Sequence, residues 1–356
     1  MAATARRARP ADPFGLGGPV HTALLTWLSG YGIALPVVIF LAIAVMVFLS
    51  GSRLTRHADT IATTSGLGRL WIGVLLLSAS TSLPELVTDV YASALRAPNL
   101  GIGDLMGSSL SNMLFLALLD LRYARRRLFD NIARDHIMIG ALAIILTALA
   151  GASIASHGWG RIGRVGTATL LIVLCYLIGM RAVRAEQPEV APPEQLSLGA
   201  TGRTVLRRSL SGFALATAAL ALVSPLLVLS AEAVSRTSGL DETFVGTLLV
   251  GLSTSLPEGV ATLAAVRLGA VDLAVANIFG SNAFNMCLFL PMDLASPTGP
   301  VLPQAAPDTL LAAFLAITCI ALGLLRILTP RGRSIGPWRP ESVLLVAVYC
   351  AAIWLL

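Results

Sequence analysis

The hexapeptide Ser80-Thr81-Ser82-Leu83-Pro84-Glu85 occurs a second time, 173 residues on, as Ser253-Thr254-Ser255-Leu256-Pro257-Glu258. The same offset carries Gly107-Ser108 onto Gly280-Ser281, Asn112-Met113 onto Asn285-Met286 and Asp120-Leu121 onto Asp293-Leu294. From Gly73 to Leu121, 20 of 49 positions match their partners without a gap. Random agreement in an apolar chain would be about one position in ten. The chain is a duplication, so its fold has to be assembled twice from one kind of unit.

The residues around the repeats decide the solvent. Apolar residues make up 56% of the chain and charged residues 12%, roughly half the charge of a soluble domain at about 25%. Several apolar runs reach the ~20 residues that cross a bilayer as a helix. This excludes a soluble enzyme, a disordered protein and a nucleic-acid binder. The net charge of +6 comes from arginines between apolar runs, where they orient a membrane protein. All 25 basic residues are Arg, a compositional bias without mechanistic content. Cys175, Cys287, Cys319 and Cys350 lie inside apolar runs without CxxC spacing and read as small buried hydrophobes, not as a disulfide or zinc framework.

Windows of about 19 residues predict ten helices, near 33–51, 67–95, 99–121, 137–156, 165–184, 209–235, 242–267, 270–293, 308–328 and 340–356. The expected fold is an all-α membrane protein with ten transmembrane helices in two inverted five-helix repeats. Five spans per half is an odd number, so the second half must enter the membrane from the opposite side, an arrangement that places sites near the midplane. The expected division is a loose N-terminal tail at 1–32, a first repeat at 33–185, a polar linker at 186–208 and a second repeat at 209–356. Loops after odd-numbered spans hold 18 arginines and the opposite side 7. The positive-inside bias then puts the linker in the cytoplasm and both termini outside the cell membrane.

Four carboxylates fall well within the spans: Glu85, Asp89, Asp104 and Glu258. An ionisable group at that depth costs several kcal/mol unless paired, so each is a functional candidate. Glu85 and Glu258 are repeat mates. Asp89 shares a helix face with Glu85, but its mate is Thr262, and the mate of Asp104 is Asn277. Asp120, Glu232, Asp272 and Asp293 lie about a turn from span ends, within reach of water. Pro84 and Pro257 free carbonyls near 80–81 and 253–254, which protein, water or ligand must satisfy in a bilayer. The hydroxyls of Thr81, Ser82, Thr254 and Ser255 stand beside them. The second repeated element supplies Ser108, Ser281, Asn112 and Asn285; its glycines permit close helix approach, and its amide oxygens suit a shared polar site. Carboxylate, hydroxyl and carbonyl oxygens together are the ligand set of hard cations such as Ca²⁺.

Ser-Thr-Ser-Leu-Pro-Glu twice, each time followed by Gly-Ser-x-x-x-Asn, resembles the two α-repeats of the cation/Ca²⁺ exchanger superfamily, which includes the sodium/calcium exchangers. The resemblance implies Glu85 and Glu258 as central ligands shared by Ca²⁺ and its counter-ion. It implies Thr81, Ser82, Thr254, Ser255, Ser108 and Ser281 as flanking oxygen ligands, and Asn112 at the family's asparagine position. The chain departs from the family at Asn285, where an aspartate is frequent, and at Asp104, where an asparagine is usual; Asn282 keeps Gly-Ser-Asn while its mate is Ser109. The expected function is secondary antiport of Ca²⁺ against Na⁺, with proton-coupled exchange of Ca²⁺ or another divalent cation as the alternative. The expected partners are the lipid bilayer and the transported cations, with no cofactor, no nucleic acid and no obligatory protein partner. A membrane-embedded hydrolase using Ser82 or Ser255 would need an adjacent base, and no His lies in these spans. A channel fits less well, because inverted halves built on broken helices favour alternating access.

Overall fold

The computed structural model describes residues 19–65, 68–94, 96, 98–124, 135–185, 200–238, 251–329 and 338–355. Residues 1–18 of the tail, 186–199 of the linker and 242–250 of the predicted seventh span lie outside that set. The elements in chain order are α1 (Pro19–Ser29), α2 (Ala34–Ser65), α3 (Gly68–Trp71), a π-helical turn (Ile72–Leu77), α4 (Ser78–Thr81), α5 (Leu83–Ala94), α6 (Pro98–Arg122) and α7 (Asp135–Ala155). Strands β1 (Arg161–Ile162) and β2 (Val165–Gly166) follow, then α8 (Thr167–Ala185), α9 (Ala200–Ser238), α10 (Gly251–Thr254), α11 (Leu256–Arg267), α12 (Val271–Cys287) and α13 (Phe289–Ala295). A 3₁₀ turn (Leu302–Gln304), α14 (Pro307–Leu328) and α15 (Pro340–Leu355) complete the chain.

Among the described residues, seven helices are long and apolar enough to cross a membrane. Two predicted spans are instead broken in the middle, 67–95 at Ser82 and 242–267 at Ser255. The predicted tenth span is the 16-residue α15. Helices α2 and α9 outrun their predicted spans: 32 and 39 residues at 1.5 Å each reach about 48 and 58 Å, against a hydrocarbon core of about 30 Å. Hydropathy ends at Arg53 on α2 and begins after Arg208 on α9, but charged residues do not break a helix. The His57 ring lies over Gly212, where any side chain would collide with it. Residues 200–208, read as linker, are therefore helical.

Two further elements differ from the expectation. The 1–32 tail carries α1, whose Leu25 and Leu28 bury against Leu229 and Ala233 of α9. The fold is nearly all-helical as expected, and a short β1–β2 ribbon joins α7 to α8, paired Arg161 with Gly166 and Ile162 with Val165. Its two-residue loop contains Gly163 at φ 62°, the positive φ that tight hairpins need. Exposed apolar side chains such as Val38, Leu41, Val45, Leu215 and Leu222 lie on α2 and α9, whereas α12 is buried from Leu273 to Ala283 without interruption. Corresponding helices of the two halves pack on each other: α2 on α9, α6 on α12 and α7 on α14. Cys319 is buried and Cys350 is exposed, so burial does not explain all four cysteines; all are free thiols.

Candidate functional site

Both repeats break their helix at the serine before Leu-Pro-Glu. Ser82 has φ −84° and ψ 12°, and Ser255 has φ −83° and ψ −2°. Both lie in the sparsely populated bridge region where many active-site residues sit. The prolines do not kink a continuous helix. They occupy the second position of a new one, where a missing N–H and a fixed φ are tolerated. The break thus falls one or two residues after the carbonyls expected to be free, and it puts Glu85 and Glu258 in the first turns of α5 and α11. Carboxylates there face the positive end of a helix dipole. The π-helical turn just before α4 is a further irregularity of the kind found at functional sites.

All ten candidate ligand residues, Thr81, Ser82, Glu85, Ser108, Asn112, Thr254, Ser255, Glu258, Ser281 and Asn285, are completely buried. The glutamates are tied across the elements of the site. The Ser82 hydroxyl donates to Glu258 Oε1 at 3.0 Å, and the Ser108 hydroxyl to Glu85 Oε1 at 3.3 Å. Asn112 Nδ2 donates to Asn282 Oδ1 at 2.9 Å, which turns Asn112 Oδ1 away from that contact. Thr254 donates to Asp104 Oδ1 at 3.1 Å, and its mate Thr81 donates to Asn277 Oδ1, the mate of Asp104, at 3.4 Å. The two motifs therefore cross-link the halves through equivalent residues.

Buried polar atoms normally find partners. Here the second oxygens of Glu85 and Glu258, Asn112 Oδ1, the Ser255 and Ser281 hydroxyls and the whole Asn285 amide have none among the described residues. Left bare in a dry interior, each such group costs about 1–3 kcal/mol, and charged ones cost more. Oxygen atoms dominate this set, as a hard cation requires. Among the described residues no three Asp, Glu, His or Cys side chains gather as one metal cluster. The carboxylates are arranged in pairs instead, with hydroxyls and amides between them.

Residues not singled out from the sequence also take part. Ser78 donates to the carbonyls of Gly73 and Asn277, at 2.8 and 3.0 Å. The Thr217 hydroxyl of α9 donates to Ser80 Oγ at 3.2 Å. The mates of the carboxylates, Thr262 and Asn277, bond to each other at 3.2 Å; the repeat offset could have signalled that pair, but nothing in the sequence marks Thr217. The two motif glycines differ. A Cβ on Gly280 would stand 2.5 Å from Ser78 Oγ and 2.9 Å from Val74 Cα, while one on Gly107 would meet nothing within 4 Å. Close approach explains the first and not the second.

The carboxylates at the span ends correct another expectation. Asp120 and Asp293 do not reach water; they are 4% and 0% exposed. Asp120 accepts from Arg326 Nε and Nη2 at 2.9 and 3.0 Å, and Asp293 accepts from the Gly166 and Val301 amides at 2.9 and 2.8 Å. Asp272 pairs with His136 at 3.0 Å and is half-exposed. The Glu232 side chain lies outside the described residues.

The inner membrane protein YrbG of Escherichia coli is 26% identical over 294 residues, covering 82% of this chain and 89% of that protein. The sodium/calcium exchanger MaX1 of Methanosarcina acetivorans is 26% identical over 329 residues, covering 83% and 91%. In structure, the sodium-calcium exchanger NCX_Mj soaked with 10 mM Na⁺ and zero Ca²⁺ superposes with a TM-score of 0.69 at 20% identity. That match covers 90% of this chain and 99% of the other, so the two share a fold. The profile of the sodium/calcium exchanger proteins matches residues 35–182 and 208–356, one match over each copy of the motif that builds the site; the chain belongs to this family of membrane ion exchangers.

Proposed function

We propose that this protein is a secondary antiporter that moves Ca²⁺ across a membrane in exchange for Na⁺ by alternating access. The observation that carries the reading is the pair Glu85 and Glu258. Both are fully buried at the N-termini of half-helices, each with one oxygen held by a serine and the other without a donor among the described residues. Their combined charge of −2 balances one Ca²⁺, or two Na⁺, in a setting where uncompensated charge is very costly. Thr81, Ser82, Ser108, Asn112, Thr254, Ser255, Ser281 and Asn285 supply the neutral oxygens that complete a Ca²⁺ or Na⁺ shell. That abundance of hydroxyls favours Na⁺ over protons, which need none. Relatives named for sodium/calcium exchange support the same assignment.

The architecture proposed for this cycle is ten spans in two inverted repeats, 33–185 and 209–356, with the half-helices meeting near the midplane. The packing of helix on corresponding helix supports it. The segment 186–208 then faces the cytoplasm and both termini face outward. The test is ⁴⁵Ca²⁺ uptake into proteoliposomes under an imposed Na⁺ gradient and, separately, an imposed proton gradient. Uptake driven by Na⁺ and abolished in folded Glu85→Gln and Glu258→Gln variants is expected. Flux that ignores Na⁺ but follows pH would reverse the coupling assignment, and near wild-type flux in either variant would remove that glutamate from the centre.

A further inference from the structure

Helices α2 and α9 both outrun the hydrocarbon core, and they do so at the same end. His57 of α2 lies over Gly212 of α9, and Ile39 packs on the cluster that holds Leu229 and Ala233. Numbering therefore falls along α9 as it rises along α2, and the two overhangs, 53–65 and 200–208, run side by side. From Ala34 to Arg53 the helix rises about 28 Å, close to the thickness of the hydrocarbon core. Arg53 and Arg56 stand where α2 leaves it. With residue 57 opposite 212, Arg208 lies about five residues beyond Arg56, a step of about 8 Å along the axis. That is about the depth of one headgroup layer.

The apolar side chains nearby show which way these arginines face. Leu49 of α2 is 48% exposed, and Leu215 and Leu222 of α9 are 73% and 74% exposed. Arg56 follows Leu49 by seven residues, and Arg208 precedes Leu215 by seven and Leu222 by fourteen. Those spacings are whole pairs of turns on one helix face, so each lipid-facing stripe runs out into an arginine. Arg53, one turn after Leu49, and Arg207, beside Arg208, are exposed with them. Asp59 is the one carboxylate on the two overhangs, and none of the four arginines forms an ion pair among the described residues. The bias that orients a membrane protein asks only for arginines on one side, in any loop. It does not ask for four on the lipid-facing surface of two packed helices.

The geometry points to a binding site for an anionic phospholipid, its phosphate held between Arg53 and Arg56 of α2 and Arg207 and Arg208 of α9. Long cationic side chains at a helix end extend to the interface, and the guanidinium fork matches phosphate geometry. The acyl chains lie along the Leu49 and Leu215 stripes, which a soluble anion has no means to use. One lipid then bridges α2 and α9. The inference rests on the membrane fold and not on which ions are exchanged.

The experiment titrates the purified full-length protein in detergent micelles with phosphatidylglycerol and counts bound lipid by native mass spectrometry. Phosphatidylcholine is the neutral control and inorganic phosphate the soluble competitor. The variant Arg56→Gln/Arg208→Gln takes one arginine from each helix. A control, Arg122→Gln/Arg181→Gln, removes the same charge from exposed positions elsewhere. Each arginine near a membrane surface strengthens anionic-lipid binding about fivefold, so the first variant should hold phosphatidylglycerol about 30-fold more weakly. Phosphatidylcholine should bind all three proteins alike. Equal phosphatidylglycerol affinity in wild type and Arg56→Gln/Arg208→Gln would overturn the site. So would an equal loss in the control, which would mean diffuse charge, or displacement of the lipid by millimolar phosphate, which would make the ligand a soluble anion.

Discussion

Replacing Asp120 by Asn changes one atom and one charge, and the structure says how much that matters. Asp120 accepts a two-pronged contact from Arg326, at 2.9 and 3.0 Å, and a third hydrogen bond from the Ser342 hydroxyl at 2.6 Å. These side chains come from α6, α14 and α15, and none is more than 5% exposed. An asparagine cannot receive the guanidinium fork, and the Arg326 charge would stay buried opposite a neutral amide. Removing one partner of such a pair costs about 3–5 kcal/mol. The repeat mate is the control. Among the described residues Asp293 pairs with no cation; it accepts from two backbone amides, and its asparagine keeps one acceptor. Losing the other charge-assisted bond costs about 1.5–3 kcal/mol. Asp120→Asn should therefore be the more destabilising variant by about 2 kcal/mol. Adding Arg326→Met, which removes the stranded charge, should recover much of the loss. Unfolding in mixed micelles, followed by tryptophan fluorescence, measures all four proteins. Equal losses for the two mates, or a double variant no more stable than Asp120→Asn alone, would refute the ion-pair account.

Gly280→Ala should destabilise by about 1–3 kcal/mol through overpacking against Ser78 and Val74, whereas Gly107→Ala should be nearly silent in the same assay because nothing lies within 4 Å. Single cysteines at Thr4 and Ser197, both outside the described residues, should react with an impermeant thiol reagent from opposite faces of the membrane; labelling of both from one face would contradict the inverted arrangement. Ser82→Ala and Ser255→Ala should raise the Na⁺ concentration needed for half-maximal exchange more than they weaken Ca²⁺ binding. An equal effect on both ions would mean that these hydroxyls do not discriminate.

The buried cluster was legible because polar identity is informative where the background is apolar. Ser82 and Glu258 sit 176 residues apart, yet each belongs to a copied block, and the copies meet in space. The helix breaks were half legible. Proline announces an irregularity, but whether it kinks a helix or starts one depends on the backbone two residues before it, where Ser82 and Ser255 take up the turn. Helix ends were the least legible. A hydropathy window stops at Arg53, but α2 continues to Ser65 because charged side chains on a helix leave its backbone hydrogen bonds intact. Asp120 and Asp293 looked like water-facing ends of spans. Two of their partners, Arg326 for Asp120 and Gly166 for Asp293, come from elements far along the chain, which no local pattern predicts. The duplication even misleads here, since the mates Asp120 and Asp293 share a position and not a role.

On the proposed function, electrostatics links this geometry to exchange rather than leak. Each half-helix N-terminus contributes about half a positive charge, so two of them offset only about half of the charge on Glu85 and Glu258. The serine hydroxyls of Ser82 and Ser108 soften the remainder but carry no net charge. Without a bound cation, the two carboxylates would face each other in a site closed to water, at a cost of several kcal/mol. A conformation in which the site is occluded is therefore unfavourable when empty and favourable when Ca²⁺ or Na⁺ completes the charge. Alternating access has to pass through such a conformation, because the site lies between the halves that must rearrange. A carrier that crosses only when loaded returns only when it has picked up another cation, which couples the two fluxes without any further device. On the same argument, neutralising one glutamate does not free the carrier to leak. On the proposed assignment it removes the charge that makes a divalent ion the right load, and the expected outcome is that Ca²⁺ flux stops with the protein still folded.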